Sequence, residues 1–232
     1  FRRLWRALGC YKSNTMAKKS NGICQLCGTH GLLTDDHIPQ KSLYPKQIRG
    51  QIPNFNTVKA CAKCNNGACQ EDELLKVLVG NLASSWWDGK LWNSTNSTLD
   101  KNRRLDKEIA LNTRTEQVDT PDGVREVPVL TLEGNIRQQF LLAMERIVKG
   151  LFFQEFREVL TLTRIISLYH PDAIHPNKLQ YIRSHFNPSN WKEVNGGTCK
   201  YVFTELANGE IVLYLILFNS IKLHYAIIKQ AT

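Results

Sequence analysis

The chain reads as an α+β protein, with a small cysteine-framed N-terminal unit followed by a C-terminal region built on an amphipathic helix and an antiparallel sheet. Three observations lead there. Cys24-x-x-Cys27 and Cys61-x-x-Cys64 form two thiol pairs 33 residues apart in a 232-residue chain. Apolar residues recur at three and four from Ile136 to Phe156, the period of a helix with one buried face. Three runs near the C-terminus, 200–206, 211–219 and 222–229, are rich in β-branched and aromatic residues.

The thiols specify a metal site. A two-residue gap lets one tight turn present two sulfurs to a tetrahedral ion, so Cys24, Cys27, Cys61 and Cys64 are expected to hold a structural zinc. A disulfide framework is the alternative. The N-terminus has charge but no apolar segment followed by a small-residue cleavage site, so an intracellular, cytoplasmic setting is expected, in which disulfides are rare. Cys10, Cys69 and Cys199 fall outside the pattern and read as buried or idle thiols.

Between and just after the thiols stand residues suited to phosphodiester chemistry. Asp36-His37 closes the run Leu33-Thr34-Asp35, and Asn56 and Asn65 flank the second thiol pair. Histidine is a general base near neutral pH. A carboxylate with an amide oxygen suits a hard cation such as Mg²⁺. A lone Asp-His is more often a turn residue beside a surface side chain, but inside a four-cysteine frame the functional reading takes precedence.

The strings CQLC, DDHIPQKSL, NTVKACAKCNNG and the acidic EDE resemble the HNH endonuclease family in its zinc-stapled form. The cysteine-free HNH domain of CRISPR effector nucleases has the same order, with two asparagines nine residues apart, as Asn56 and Asn65 are here. The match covers about sixty of the 232 residues. It departs from the family where a lysine often follows CxxCN, for Ala68 and Gln70 stand there, and Asn65 and Asn66 adjoin. The resemblance implies a ββα-metal fold, with strands at 33–38 and 56–60 and a helix from about residue 62 to Gly80. It implies that His37 is the general base, that Asp36 and Asn65 hold a catalytic Mg²⁺ or Mn²⁺, and that Asn56 bonds to the strand bearing His37 and orients its ring. It also implies a nucleic-acid partner, DNA foremost, and leaves open a homodimer or a larger complex. A non-catalytic zinc knuckle that binds nucleic acid or protein is the alternative.

Charge agrees with a polyanion partner. The net charge is +9, with 30 Lys and Arg against 21 Asp and Glu. Much of the excess lies in a basic tail at 1–20, which holds six bases and no acid. Met16-Ala17-Lys18-Lys19 reads as a translation start, so residues 1–15 are either native or upstream sequence.

By texture the HNH-like unit spans 21–82, a linker or insert 83–134 and an accessory α+β domain 135–232. Within the insert, the Asn-Ser-Thr run at 93–98 is a loop by composition, and Pro121-Asp122-Gly123 is a turn between two short strands. Trp86, Trp87 and Trp92 read as packing residues rather than base-stacking ones. Along the 135–160 helix, Arg137, Arg146, Lys149 and Arg157 read as a solvated face. Asn208-Gly209 and Asn219-Ser220 are hairpin turns in the C-terminal sheet. The apolar run 211–218 is too short for a membrane span and suits a central strand, so no membrane partner is expected.

Overall fold

The computed structural model describes residues 20–82, 89–120, 123–160, 164–169, 175–218 and 221–230. In chain order its elements are β1 (Ser20–Ile23), β2 (His30–His37), α1 (Lys46–Arg49), β3 (Thr57–Cys61), α2 (Ala62–Asn66), α3 (Cys69–Leu82), α4 (Lys90–Lys101), α5 (Arg103–Leu111), β4 (Thr113–Thr120), β5 (Gly123–Leu130), α6 (Gly134–Phe156), β6 (Arg164–Tyr169), α7 (Pro176–His185), β7 (Lys192–Val194), β8 (Cys199–Glu205), β9 (Ile211–Leu217) and β10 (Ile221–Gln230). Helix and sheet are thus mixed, as the sequence predicts. The described strands form three antiparallel groups: β1-β2-β3, the hairpin β4-β5, and a five-stranded sheet ordered β6-β10-β9-β8-β7.

The N-terminal sheet sets the register of the candidate site. On β2–β3, Leu33 faces Cys61, Asp36 faces Val58 and His37 faces Thr57. By alternation Leu33 and Val58 lie on opposite faces of this pair, and both are nearly inaccessible, so each face is covered. After β3 the chain turns directly into α2. A Cβ on Gly67 would stand 2.5 Å from the Lys63 carbonyl oxygen, and α2 stops there before α3 begins at Cys69. A five-residue helix and a fourteen-residue helix therefore replace the single helix expected from residue 62.

Nor does α3 end at Gly80, which lies inside it. A Cβ at Gly80 would fall 1.7 Å from Thr95 Oγ1, so the missing side chain is what lets α4 cross α3 at backbone distance. This crossing explains why 93–98 is helix rather than loop. Leu91, Thr95 and Thr98 recur at i, i+4 and i+7 and are buried. The Thr98 hydroxyl donates to the Ser94 carbonyl at 3.0 Å and accepts from Lys76 Nζ at 2.7 Å. Tertiary packing thus overrides weak local propensity.

Helix α6 carries the main core. Its Ala143, Met144, Ile147, Val148, Leu151 and Phe152 join Leu33, Ile38, Val58 and Ala60 from the N-terminal unit and Tyr201, Leu213 and Leu215 from the five-stranded sheet in one apolar cluster. This cluster takes residues from both sides of position 134. Arg157, at φ 57°, ends the helix. The 121–122 and 219–220 turns, Trp86, Trp87 and the 1–19 tail lie outside the described residues. Trp92 is about half exposed on α4. No helix among the described residues is long and apolar enough to cross a membrane.

Candidate metal centre and the strand beside it

Two backbone turns bring the four thiols together. At the first, the Gly28 amide donates to the Cys24 carbonyl at 2.8 Å and the Cys24 amide to the Thr29 carbonyl at 2.9 Å, with Gly28 at φ 76°. That left-handed conformation favours glycine, which closes the knuckle without a Cβ. At the second, Cys61 ends β3 and Cys64 follows within α2. Gln25 clamps the two turns through its amide to the Lys59 carbonyl at 2.8 Å and its Oε1 from the Lys59 amide at 2.7 Å. The Cys61 amide donates to Cys24 Sγ at 3.3 Å.

All four sulfurs lie within 4.8 Å of one another, and Cys27 Sγ is 3.8 Å from Cys61 Sγ. Zn–S bonds of about 2.3 Å place tetrahedral sulfurs about 3.8 Å apart, so this donor set fits zinc. A zinc held by all four sulfurs would have no position left for water. Burial pushes the Cys27 thiol up, but hydrogen bonds from the Thr29 side chain and backbone and from neighbouring thiols outweigh it and bring the thiol down to about 6. Burial raises Cys24 and Cys64, and for Cys64 the neighbouring Cys27 adds to the effect. Cys199 is buried in the core, while Cys69 is disulfide-bonded, a departure from its reading as an idle thiol.

The remaining predicted residues lie on or beside β2, each with its own partners. The half-buried His37 ring meets Phe55 edge-on, with centroids 5.5 Å apart. Lys41 Nζ lies 5.2 Å from the centroid of the Phe55 ring. Asn65, on α2, donates through Nδ2 to Thr34 Oγ1 at 2.9 Å and to the Asp35 carbonyl at 3.1 Å. Thr34 and Asp36 share a strand face, so Asn65 sits on the side of β2 that bears Asp36.

Asn56 reaches β2 through its backbone rather than its side chain. Its carbonyl accepts from the Ile38 amide at 2.8 Å, while its buried Nδ2 has no hydrogen-bond partner among the described residues. The amide of Asn56 donates to Asn195 Oδ1 at 2.7 Å. Asn195 is itself buried at φ 52°, and its Nδ2 donates to Tyr44 Oη at 3.0 Å and to the Ile38 carbonyl at 3.3 Å. A residue near the C-terminus thus braces the segment after His37. The signal that marks it is the string Asn195-Gly196-Gly197, a turn composition whose three residues all have positive φ.

The position of Asp36 differs most from expectation. It is 3% exposed. Arg146 of α6 donates to both of its oxygens, from Nε to Oδ2 at 3.0 Å and from Nη2 to Oδ1 at 2.5 Å and Oδ2 at 2.7 Å. Through Nη1 the same guanidinium reaches Asp72 Oδ1 at 2.8 Å. Burial alone would lower the pKa of Arg146, but Asp72 and then Asp36 outweigh it and raise it. Arg146 is therefore not on a solvated face, as its spacing suggested, but at the centre of a buried ion triad. A divalent cation such as Mg²⁺ keeps several waters and takes oxygen ligands in near-octahedral array. A buried carboxylate with both oxygens committed to a guanidinium does not fit that ion.

No family model, curated protein or solved structure shows significant similarity to this chain.

Proposed function

We propose that residues 21–82 are the nuclease unit of an HNH-type phosphodiester hydrolase that acts on nucleic acid, with DNA as the favoured substrate and His37 as general base. The observation that carries this reading is the placement of His37. It ends a strand whose other end is stapled by the four-thiol centre, with Asn65 bonded to the same strand from the following helix. The order of two antiparallel strands and a helix, β2-β3-α2, supports the ββα-metal reading. The unit is too small for a large core of its own, so zinc binding contributes to its folding.

In this reading the zinc supplies rigidity and no chemistry. His37 takes the proton of an attacking water, its ring held against Phe55. Lys41, on the same aromatic ring, offers a cation to the phosphodiester. The family's Mg²⁺ or Mn²⁺ would polarise the scissile phosphate. Because Asp36 as arranged does not fit that ion, the reading rests on His37. The test is nicking of supercoiled plasmid by the zinc-loaded chain with Mg²⁺, Mn²⁺ or EDTA. His37→Ala is expected to lower the rate about 100-fold or more at unchanged zinc content. Equal cutting by wild type and variant removes His37 from the chemistry.

A second reading is favoured by the ion triad itself. If Asp36 serves only Arg146, the unit is a zinc-stapled module that binds nucleic acid or another protein without cleaving. Retention of labelled DNA with no cutting under any divalent cation selects it.

A further inference from the structure

The triad joins three parts of the chain that are far apart in sequence. Asp36 lies on the strand that carries His37, Asp72 in the first turn of α3, and Arg146 in the middle of α6, 110 residues from Asp36 and 74 from Asp72. All three are at least nine-tenths buried. Two carboxylates and one guanidinium leave a formal charge of −1, and the position of Asp72 offsets part of it. The first turn of a helix carries partial positive charge from its unpaired amides, and a carboxylate is stabilised there. The fork geometry also matters. A guanidinium delivers planar paired donors to a carboxylate, as Nε and Nη2 do to Asp36, and keeps its charge at any accessible pH.

Helix α6 cannot draw back from this site without disturbing the core. A Cβ on Gly150, one turn beyond Arg146, would stand 2.5 Å from Ile38 Cγ1, so the helix backbone already rests on the residue after His37. Arg146 is thus inserted between two acids by the same packing that buries Ile38, Met144 and Ile147.

We infer that Arg146 is the resident cation of this site and Asp36 its counter-ion, so that no divalent ion binds through Asp36 while α6 is docked. The guanidinium fills the place that the HNH resemblance gives to a metal, and a divalent ion gains Asp36 only by displacing it. Arg146 is then a positioning residue. It ties α6 and α3 to the strand bearing His37 without touching a substrate. Removing it takes the shared guanidinium from both carboxylates at once, and two carboxylates that one cation bridged can take a hard cation in its place.

The experiment uses the full zinc-loaded chain and Mn²⁺ alone, with free Mn²⁺ read from its electron paramagnetic resonance amplitude. Wild type and Asp36→Asn are expected to give the same binding isotherm. Arg146→Met is expected to gain a Mn²⁺ site at least about tenfold tighter than any in the wild type, and the double variant Asp36→Asn with Arg146→Met to lose it. Zinc stoichiometry and circular dichroism establish that each variant is folded. A wild-type Mn²⁺ site weakened tenfold by Asp36→Asn overturns the inference, as does a folded Arg146→Met that gains no site. Should Arg146→Met fail to fold, the comparison of wild type with Asp36→Asn decides alone, because Asn keeps an acceptor for Arg146 and Asp72 keeps it neutralised. None of these readouts requires cleavage. A protein that cuts nothing sinks the nuclease reading and leaves this one to stand or fall on Mn²⁺.

Discussion

Replacing Gly150 with alanine should destabilise the protein, although alanine is the better helix former. In a helix interior the exchange gains about 1 kcal/mol from backbone preference alone. Here the new Cβ would stand 2.5 Å from Cγ1, 2.8 Å from Cδ1 and 2.9 Å from Cγ2 of Ile38. Carbon atoms rest at about 3.5–4.0 Å, so Ile38 must retreat by about 1 Å. It has nowhere to go, being fully buried among Leu43, Tyr44, Val58 and Ile147. Overpacking of this kind costs about 1–3 kcal/mol, which leaves a net loss of about 1 kcal/mol. Urea unfolding of the zinc-loaded protein measures it. The decisive comparison is the same exchange in an Ile38→Ala background, where the three crowding atoms are gone. There Gly150→Ala should turn stabilising by about its helix preference, giving a coupling energy of about 1–3 kcal/mol between the two positions. Gly50, with nothing within 4 Å of its Cβ position, is the control and should tolerate alanine. If Gly150→Ala raises the urea midpoint equally in both backgrounds, the close approach of α6 to the strand bearing His37 is wrong. The placement of Arg146 would then lose its support as well.

Three further outcomes follow from the same contacts. Chelating the metal, or Cys61→Ser, should abolish cooperative unfolding of the N-terminal sheet, with one zinc per chain lost by elemental analysis; an unchanged urea midpoint after chelation would refute the staple. Asn195→Ala strips partners from the Asn56 amide, the Ile38 carbonyl and the Tyr44 hydroxyl and should cost about 2–4 kcal/mol, whereas a cost under about 0.5 kcal/mol would show that the brace contributes little. Burial, with the charge of Glu155 adding to it, pushes Tyr201 up to about 12, and burial also raises Tyr44. The stability from these neutral phenols is complete below the unfolded tyrosine value of about 10 and is lost as pH rises toward 12. Ultraviolet difference titration should therefore show them ionising after the exposed tyrosines, together with unfolding, and simultaneous ionisation near pH 10 in a folded chain would contradict their burial.

The sequence by itself determined what depends on short spacings. Cys-x2-Cys implies a turn, and two such turns with an antiparallel hairpin between them bring the four thiols within 4.8 Å. The period of three and four marked α6 to within a few residues, and Asn208-Gly209, with Gly209 at φ 75°, marked the β8–β9 hairpin. Each is a local preference that the fold leaves in force. Where packing competes with propensity, only the tertiary structure decided. The Asn-Ser-Thr run became α4 because Thr95 fits the space left by Gly80, which in turn serves that crossing rather than a helix end.

The candidate site divides in the same way. The contact of Asn65 with β2 lies within one sixty-residue unit and so follows the local order of strand and helix. Arg146 and Asn195 were not legible in the sequence, since their partners lie 110 and 139 residues away, and nothing in a local pattern separates a buried arginine from a solvated one. Whether Asp36 faces a metal or a guanidinium is set by which helix packs over β2, and long-range burial alone makes that choice.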